Sequence, residues 1–360
     1  IGAYEYCFES RGKKKLGGVL SWIPLLGSLG IAIGYAVIVG WVVRYCWGAV
    51  SGSLFAVGSE EYFGQITGPF GSLLWHGVVV LVTVLVLARG VLQGIEKVNR
   101  IIMPAFFVLF LVVAVYVGFL PGAAEGYRYL LIPQWEKLLD PMTWVMAMGQ
   151  AFFSLSITGS GMIIYGSYLS KKEDIPRAAM QTALLDTCAA LLAGFAILPA
   201  VFAFGMDPAS GPPLIFITLP KVFAQMPGGR FIAVLFFLFA GITSLINMFE
   251  VCAEAVTTHL KLPRKAAVVL VGALAFAAGA FIEFEPYLGK WMDAITIYVV
   301  PFGALLCAFI IYWVLGGKRI GEELVLGRKK ALCRAFLPTA RYLYVGLAVL
   351  VFILSIICGG

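Results

Sequence analysis

The sequence predicts an all-α polytopic membrane protein, and three observations carry that prediction. Of its 360 residues, 61% are hydrophobic and only 12% charged, where a soluble domain carries about 25% charged residues. Apolar segments long enough to cross a bilayer recur along the chain. The lysines and arginines gather in alternate connections between those segments, the pattern of helices threaded through a membrane.

Segments of spanning length fall at 17–49, 72–89, 95–120, 141–169, 177–204, 230–257, 266–283, 290–315 and 340–358. They predict nine helices in one transmembrane domain covering 1–360, with no soluble domain attached. Of the 26 basic residues, Arg128, Lys137, Lys221, Arg230 and Lys290 lie in one set of connections and Arg44 near a helix end. All the others lie in the opposite set. That bias predicts a cytoplasmic N-terminus and an outside C-terminus. The net charge of +7 therefore reads as a topology signal. Its expected partner is the lipid headgroup layer, not nucleic acid.

Seven cysteines stand singly at 7, 46, 188, 252, 307, 333 and 358. No close pair suggests a metal or redox motif, and in apolar runs cysteine behaves as a small hydrophobe. The connection 205–229 holds Pro and Gly around an apolar stretch too short to span, 214–224. Two readings are open for it: a short helix dipping toward a cavity as a lid, or a loop packed on the surface. The connection 121–140 has the same character.

The fourth segment contains Phe152-Phe153-Ser154-Leu155-Ser156-Ile157-Thr158-Gly159-Ser160-Gly161. Glycine costs about 1 kcal/mol against alanine inside a helix, and serine and threonine compete for backbone hydrogen bonds. A helix broken near 156–161 is one reading. Such backbone is tolerated at membrane depth only where it is buried in protein or lines a wet cavity. A Gly/Ser helix-packing face is the other.

Polar groups within the apolar segments are the next signal. Asp186 lies near the middle of the fifth segment, where a carboxylate costs at least about 3 kcal/mol. No helix-interior Lys or Arg partners it, and a cation with a taste for hard oxygen ligands would serve. The sixth segment carries Thr243, Asn247, Glu250 and Glu254 at i, i+4, i+7 and i+11, one helix face. Such a stripe lines a water-filled path or an interhelical seam, and its two carboxylates favour the path. His76 and His259, near helix ends, read as packing residues. Tyr35, Phe153 and Asp293 each read, taken singly, as packing or interface residues.

Several runs resemble one family, the neurotransmitter:sodium symporters, and most closely their bacterial amino-acid transporters. They are Gly94-Ile95-Glu96-Lys97 through Met103-Pro104, Gly149-Gln150-Ala151-Phe152-Phe153-Ser154-Leu155-Ser156 and Tyr165-Gly166-Ser167-Tyr168. Phe216-Ile217-Thr218-Leu219-Pro220 and Ala240-Gly241-Ile242-Thr243-Ser244 complete them. The resemblance covers the family's third to eleventh helices. It implies the inverted-repeat sodium symporter fold (bacterial leucine transporter-like) and sodium-coupled symport of an amino acid by alternating access.

By the same resemblance, Ile31, Tyr35, Phe153, Ser156, Gly159 and Met248 bind substrate. Ser154 and Asp186 belong to a first sodium site; the Ala240 carbonyl, Thr243 and Ser244 belong to a second. Phe153 and Asp293 gate the outer side and Tyr168 the inner side. The family's first two helices have no counterpart in the sequence, which opens at Ile1, and both sodium sites are expected to be incomplete without the first. At the inner gate, Thr257-Thr258 stand where the family has an aspartate.

Three finer expectations follow. Asp186 is itself a carboxylate beside the first sodium site, which implies chloride-independent transport. Gly159 stands where a bulky aromatic is common, and Met248 is adaptable, which implies a large hydrophobic or aromatic amino acid. The connection 51–70 has no cysteine, unlike the disulfide-bearing animal members, which implies a bacterial inner membrane. Not an enzyme, the chain keeps two other readings open: a non-transporting sensor or scaffold of this fold, and a proton-coupled carrier using Asp186, Glu250 and Glu254.

Overall fold

A computed structural model describes residues 1–360 apart from 10, 91, 158, 159, 210, 329–332, 359 and 360, with the backbone alone at 92–99, 242 and 358. Among the described residues the fold is all-helical. The main helices are α1 (Trp22–Ser51), α2 (Leu73–Ala88), α3 (Leu92–Gly118), α4 (Pro141–Ser154), α5 (Gly161–Tyr168) and α6 (Ile175–Ala203). They continue with α7 (Gly229–Phe239), α8 (Ile242–Leu260), α9 (Arg264–Ile282), α10 (Glu285–Asp293), α11 (Val300–Phe309) and α12 (Val345–Cys358).

Among the described residues, seven helical stretches are long and apolar enough to cross a membrane. The remaining two expected segments are shorter pieces: the 16-residue α2, and the pair α4 and α5.

The hub is α1. It packs on α2, α7, α8, α9, α10 and α11, and two apolar clusters share it. One joins Trp41 and Tyr45 to Phe216 and Phe237; the other joins Ile33 and Val39 to Val79, Leu245 and Val271. Gly52, at φ +87°, ends α1 and returns its N–H to the Gly48 carbonyl at 2.9 Å. A left-handed glycine is the common way for a helix to stop.

The connection 205–229 is helical over Leu214–Thr218 and Leu219–Gln225. Phe216 is buried, its ring 5.0 to 6.4 Å from those of Tyr45, Trp41, Phe63 and Phe237. The helical expectation holds for this piece, which packs on an aromatic cluster.

Two helices break where the chain turns polar or small. Asp140 starts α4, its carboxylate accepting from the Met142 N–H at 3.0 Å ahead of a first-turn proline. The helix stops at Ser154. The Ile157 N–H bonds the Phe152 carbonyl at 2.9 Å and the Ser156 N–H bonds the Phe153 carbonyl at 3.1 Å, with Ser156 at φ +55°. That pair of bonds around a left-handed residue is a Schellman motif, and Ile157 folds back against Phe152.

The second break was not expected. Segment 230–257 reads as one helix, yet α7 ends at Phe239. Ala240 is extended and Gly241 takes φ +87° before α8 begins. Only glycine adopts that backbone without strain. Asp293 is followed by a π-helical stretch, Ala294–Val299, whose wider turns are frequent near functional sites.

Candidate functional site

The α4–α5 break faces α1 and α8 across a cavity of about 290 Å³. From α1 come Ser28, Ile31 and Tyr35, spaced to share one face. Phe153, Ser154 and Ser156 come from the first half of the broken helix, Gly161 and Tyr165 from the second. The opposite wall is α8, through Ser244, Asn247, Met248 and Val251 at i, i+3, i+4 and i+7.

The wall is divided chemically. Ile31, Met248, Val251 and the Phe153 ring are apolar, whereas Tyr35, Ser244, Asn247 and Ser156 bring hydroxyl and amide groups. Tyr35 and Ser244 both line the cavity, and a tyrosine hydroxyl in apolar surroundings needs a polar neighbour. Such a surface matches an amphiphile with a charged or polar head and a bulky apolar tail.

Behind Phe153, the Ser154 hydroxyl donates to Asp186 of α6 at 2.9 Å. This brings together two residues that the resemblance assigns to one sodium site. A hydroxyl and a carboxylate are hard oxygen donors, suited to an alkali cation and not to a thiophilic metal. No cluster of three or more His, Cys, Asp or Glu occurs among the described residues. The second expected set, Ala240, Thr243 and Ser244, straddles the α7–α8 break. Thr243 is buried there, and Ser244 also faces the cavity.

Phe153 lines a second cavity of about 290 Å³ on its other side, with Gln150, Met292, Asp293 and Thr296. One aromatic ring thus stands between the two spaces. Asp293 lies in the further one and does not line the central cavity.

At the other end of the site, the Glu250 carboxylate is buried and gripped by both terminal nitrogens of Arg264, at 2.7 and 3.1 Å. Glu254 is 3.9 Å from the same guanidinium. The lower half of the α8 stripe is therefore an ion-paired seam and not the open path expected for it. Gly159 lies outside the described residues.

Sequence reasoning missed Ser28, Tyr165 and Val251 as wall residues. The signal was available for Ser28, three and seven residues before Ile31 and Tyr35. Arg264 had no such signal, because its partner lies on the preceding helix of a hairpin.

A family model for the sodium:neurotransmitter symporter family matches residues 61–357. An uncharacterized sodium-dependent transporter of Bacillus subtilis (strain 168), YhdH, is 35% identical over 358 residues, covering 93% of this chain and 79% of that protein. A second, from Methanocaldococcus jannaschii, is 30% identical over 338 residues, 84% of this chain and 67% of that protein. The sodium- and chloride-dependent taurine transporter of Rattus norvegicus is 29% identical over 71% of this chain and 46% of its own length.

Among solved structures, MhsT in complex with L-phenylalanine superposes with a TM-score of 0.87 at 30% identity, covering 94% of this chain and 81% of that one. These proteins are sodium-coupled transporters, not enzymes, and the apolar helices make this chain an integral, multi-pass membrane protein. A match over most of the length, together with a helix broken beside a hydroxyl–carboxylate pair, leads to one conclusion: the chain belongs to the sodium:neurotransmitter symporter family.

Proposed function

We propose that the protein carries an amino acid with a large hydrophobic or aromatic side chain, together with sodium, by alternating access of the central cavity. The observation that carries the reading is the divided wall of that cavity. Tyr35 and Ser244 offer hydroxyls at one part, while Ile31, Met248, Val251 and Phe153 shape an apolar part. The L-phenylalanine in the MhsT complex supports the same class of substrate. Ser156 and Gly159 complete the proposed pocket.

The proposed ion sites use Ser154 with Asp186, and the Ala240 carbonyl with Thr243 and Ser244. Sodium at the first would neutralise Asp186 and brace the break in α4–α5, so ion and substrate binding reinforce one another. Phe153 and Asp293 serve as the outer gate and Tyr168 as part of the inner closure. With Asp186 supplying a fixed negative charge, chloride is not required. The engagement of Glu250 by Arg264 weighs against a proton carrier built on that residue.

The proposed setting is the bacterial inner membrane as a single transporter domain, with the Arg264 end of the bundle in the cytoplasm and the Asp293 end outside. Uptake into proteoliposomes tests the whole reading. A sodium gradient should drive accumulation of tryptophan, tyrosine, phenylalanine or leucine, and gluconate in place of chloride should leave it unchanged. Uptake that follows a proton gradient without sodium, or a competition panel won by glycine or alanine, would refute it. Reporter fusions at the two termini test the orientation.

A further inference from the structure

Away from the cavity, α1, α2 and α9 enclose a set of polar side chains that the transport reading does not use. Ser72 and His76 are fully buried and Glu283 is 1% exposed. Ser72 is saturated: its hydroxyl accepts from the Trp41 indole N–H at 3.0 Å and donates to Glu283 Oε1 at 2.7 Å. Three atoms nearby have no partner, Glu283 Oε2 and both ring nitrogens of His76. Leaving buried polar groups without a partner is costly.

Small residues let neighbouring helices approach His76, Gly40 against its backbone and Gly279 against its ring. A Cβ on Gly40 of α1 would lie 2.9 Å from the His76 backbone nitrogen, and one on Gly279 of α9 would lie 2.9 Å from His76 Nε2. Two glycines on two helices thus give way to His76, whose ring also lies 5.1 Å from that of Phe276. A methionine or leucine would fill the gap without an orphaned nitrogen.

The register of the two helices says what the ring faces. They run antiparallel, with Ser72 opposite Glu283 and His76 opposite Gly279, so Glu283 stands one turn from the imidazole. The two do not bond each other directly, and a single bridging water is the kind of partner that satisfies such buried groups. A carboxylate shut away from solvent with one oxygen left unpartnered is poorly solvated as an anion. As the neutral acid it gains an O–H that needs an acceptor, and a neutral imidazole supplies one.

We propose that Ser72, His76 and Glu283 form an internal proton-binding site, in which Glu283 is held as the neutral acid and joined to His76 through one buried water. Of the charged and titratable groups on neighbouring elements, Arg44, Arg230 and Tyr45 are engaged elsewhere. Arg44 donates to the Gly71 carbonyl at 2.6 Å and lies over the Tyr62 ring. Arg230 donates to the Ala49 carbonyl at 2.9 Å. Tyr45 is an uncharged phenol packed on Tyr62. Glu285, two residues after Glu283, begins α10. That helix leads to Met292 and Asp293 in the second cavity, so the proton sits at the root of the element that shapes it.

Infrared difference spectroscopy of the purified whole protein tests this directly. At neutral pH the wild type should show a protonated-carboxyl stretch that E283Q removes and H76Q shifts. In parallel, the stability difference between wild type and E283Q should fall as pH rises from about 4.5, the ordinary carboxyl value, through neutral pH, because the unfolded chain gives up the proton first. A wild-type spectrum without any protonated-carboxyl band removed by E283Q overturns the proposal; a band that H76Q leaves in place overturns the shared water. If E283Q does not fold, S72A replaces it, since loss of the donor to Oε1 must move the band. An unmoved band there also overturns the proposal.

Discussion

The Ser154 hydroxyl hydrogen-bonds an Asp186 carboxylate oxygen at 2.9 Å, linking the last residue of α4 to the middle of α6. Because Asp186 is the anionic member of the pair, D186N keeps a hydrogen-bond acceptor but removes the charge. The sodium concentration for half-maximal uptake should rise about 10-fold or more in D186N, the factor that 1.4 kcal/mol gives. D186A should abolish sodium-driven uptake. Uptake measured against sodium concentration checks both, and an unchanged sodium curve in D186N would remove Asp186 from the ion site.

Ser156 holds a left-handed backbone at the end of α4, the place that Gly205 fills at the end of α6 with the same pair of bonds. A left-handed conformation costs a non-glycine residue about 1–2 kcal/mol. S156G should therefore raise stability by about 1 kcal/mol, and S156V should lower it, since a β-branched side chain tolerates that backbone least. Thermal melts of the two variants against the wild type decide the matter. A lower melting temperature in S156G would mean that the serine side chain contributes more than the strain.

Glu250 is 2% exposed at its side chain and depends on Arg264. R264A leaves a buried charge unpaired and should destabilise by about 3–5 kcal/mol. The double variant E250Q/R264A should recover a large part of that loss, because it removes the stranded charge as well. A double-mutant cycle by thermal denaturation measures the coupling; additive effects would show that the pair is not coupled.

On the exposed face, Lys221 bonds Glu60 at 2.6 Å, tying helix Leu219–Gln225 to helix Ser59–Thr67. Its hydrogen bond and charge hold the Glu60 carboxyl below its ordinary value of 4.5. A lowered folded-state value means that the contribution is present above pH about 4.5. It is lost as pH falls through the lowered value. The melting difference between wild type and E60Q, small as for any surface pair, should vanish on acidification and shrink in high salt. A difference that persists at acid pH would rule out the ion pair as its source.

Much of the fold was legible in the sequence, because hydropathy is a local property. The apolar segments and the alternation of basic connections follow from residues close together in the chain, and a break near 156–161 and a short helix in 205–229 were each one of two readings that local sequence left open. Ile31, Tyr35 and Met248 were assigned to the substrate site, and Ser244 to an ion site, by the family resemblance alone, and all four line the cavity. The family runs placed the rest of the proposed site in order along the chain.

What lay beyond the sequence depended on which helices meet. The hydroxyl–carboxylate pair needed α4 and α6 side by side. The seam at Glu250 needed the turn that returns Arg264 to α8, and it replaced an expected water path with an ion pair. Gly241 gave no warning of its break, since one glycine in an apolar run is compatible with an unbroken helix. His76 read as packing and proved to be an orphaned imidazole held between glycines of two other helices. Polar groups inside a membrane are satisfied by partners far away in the chain, so their meaning is set by helix packing and not by their neighbours in sequence.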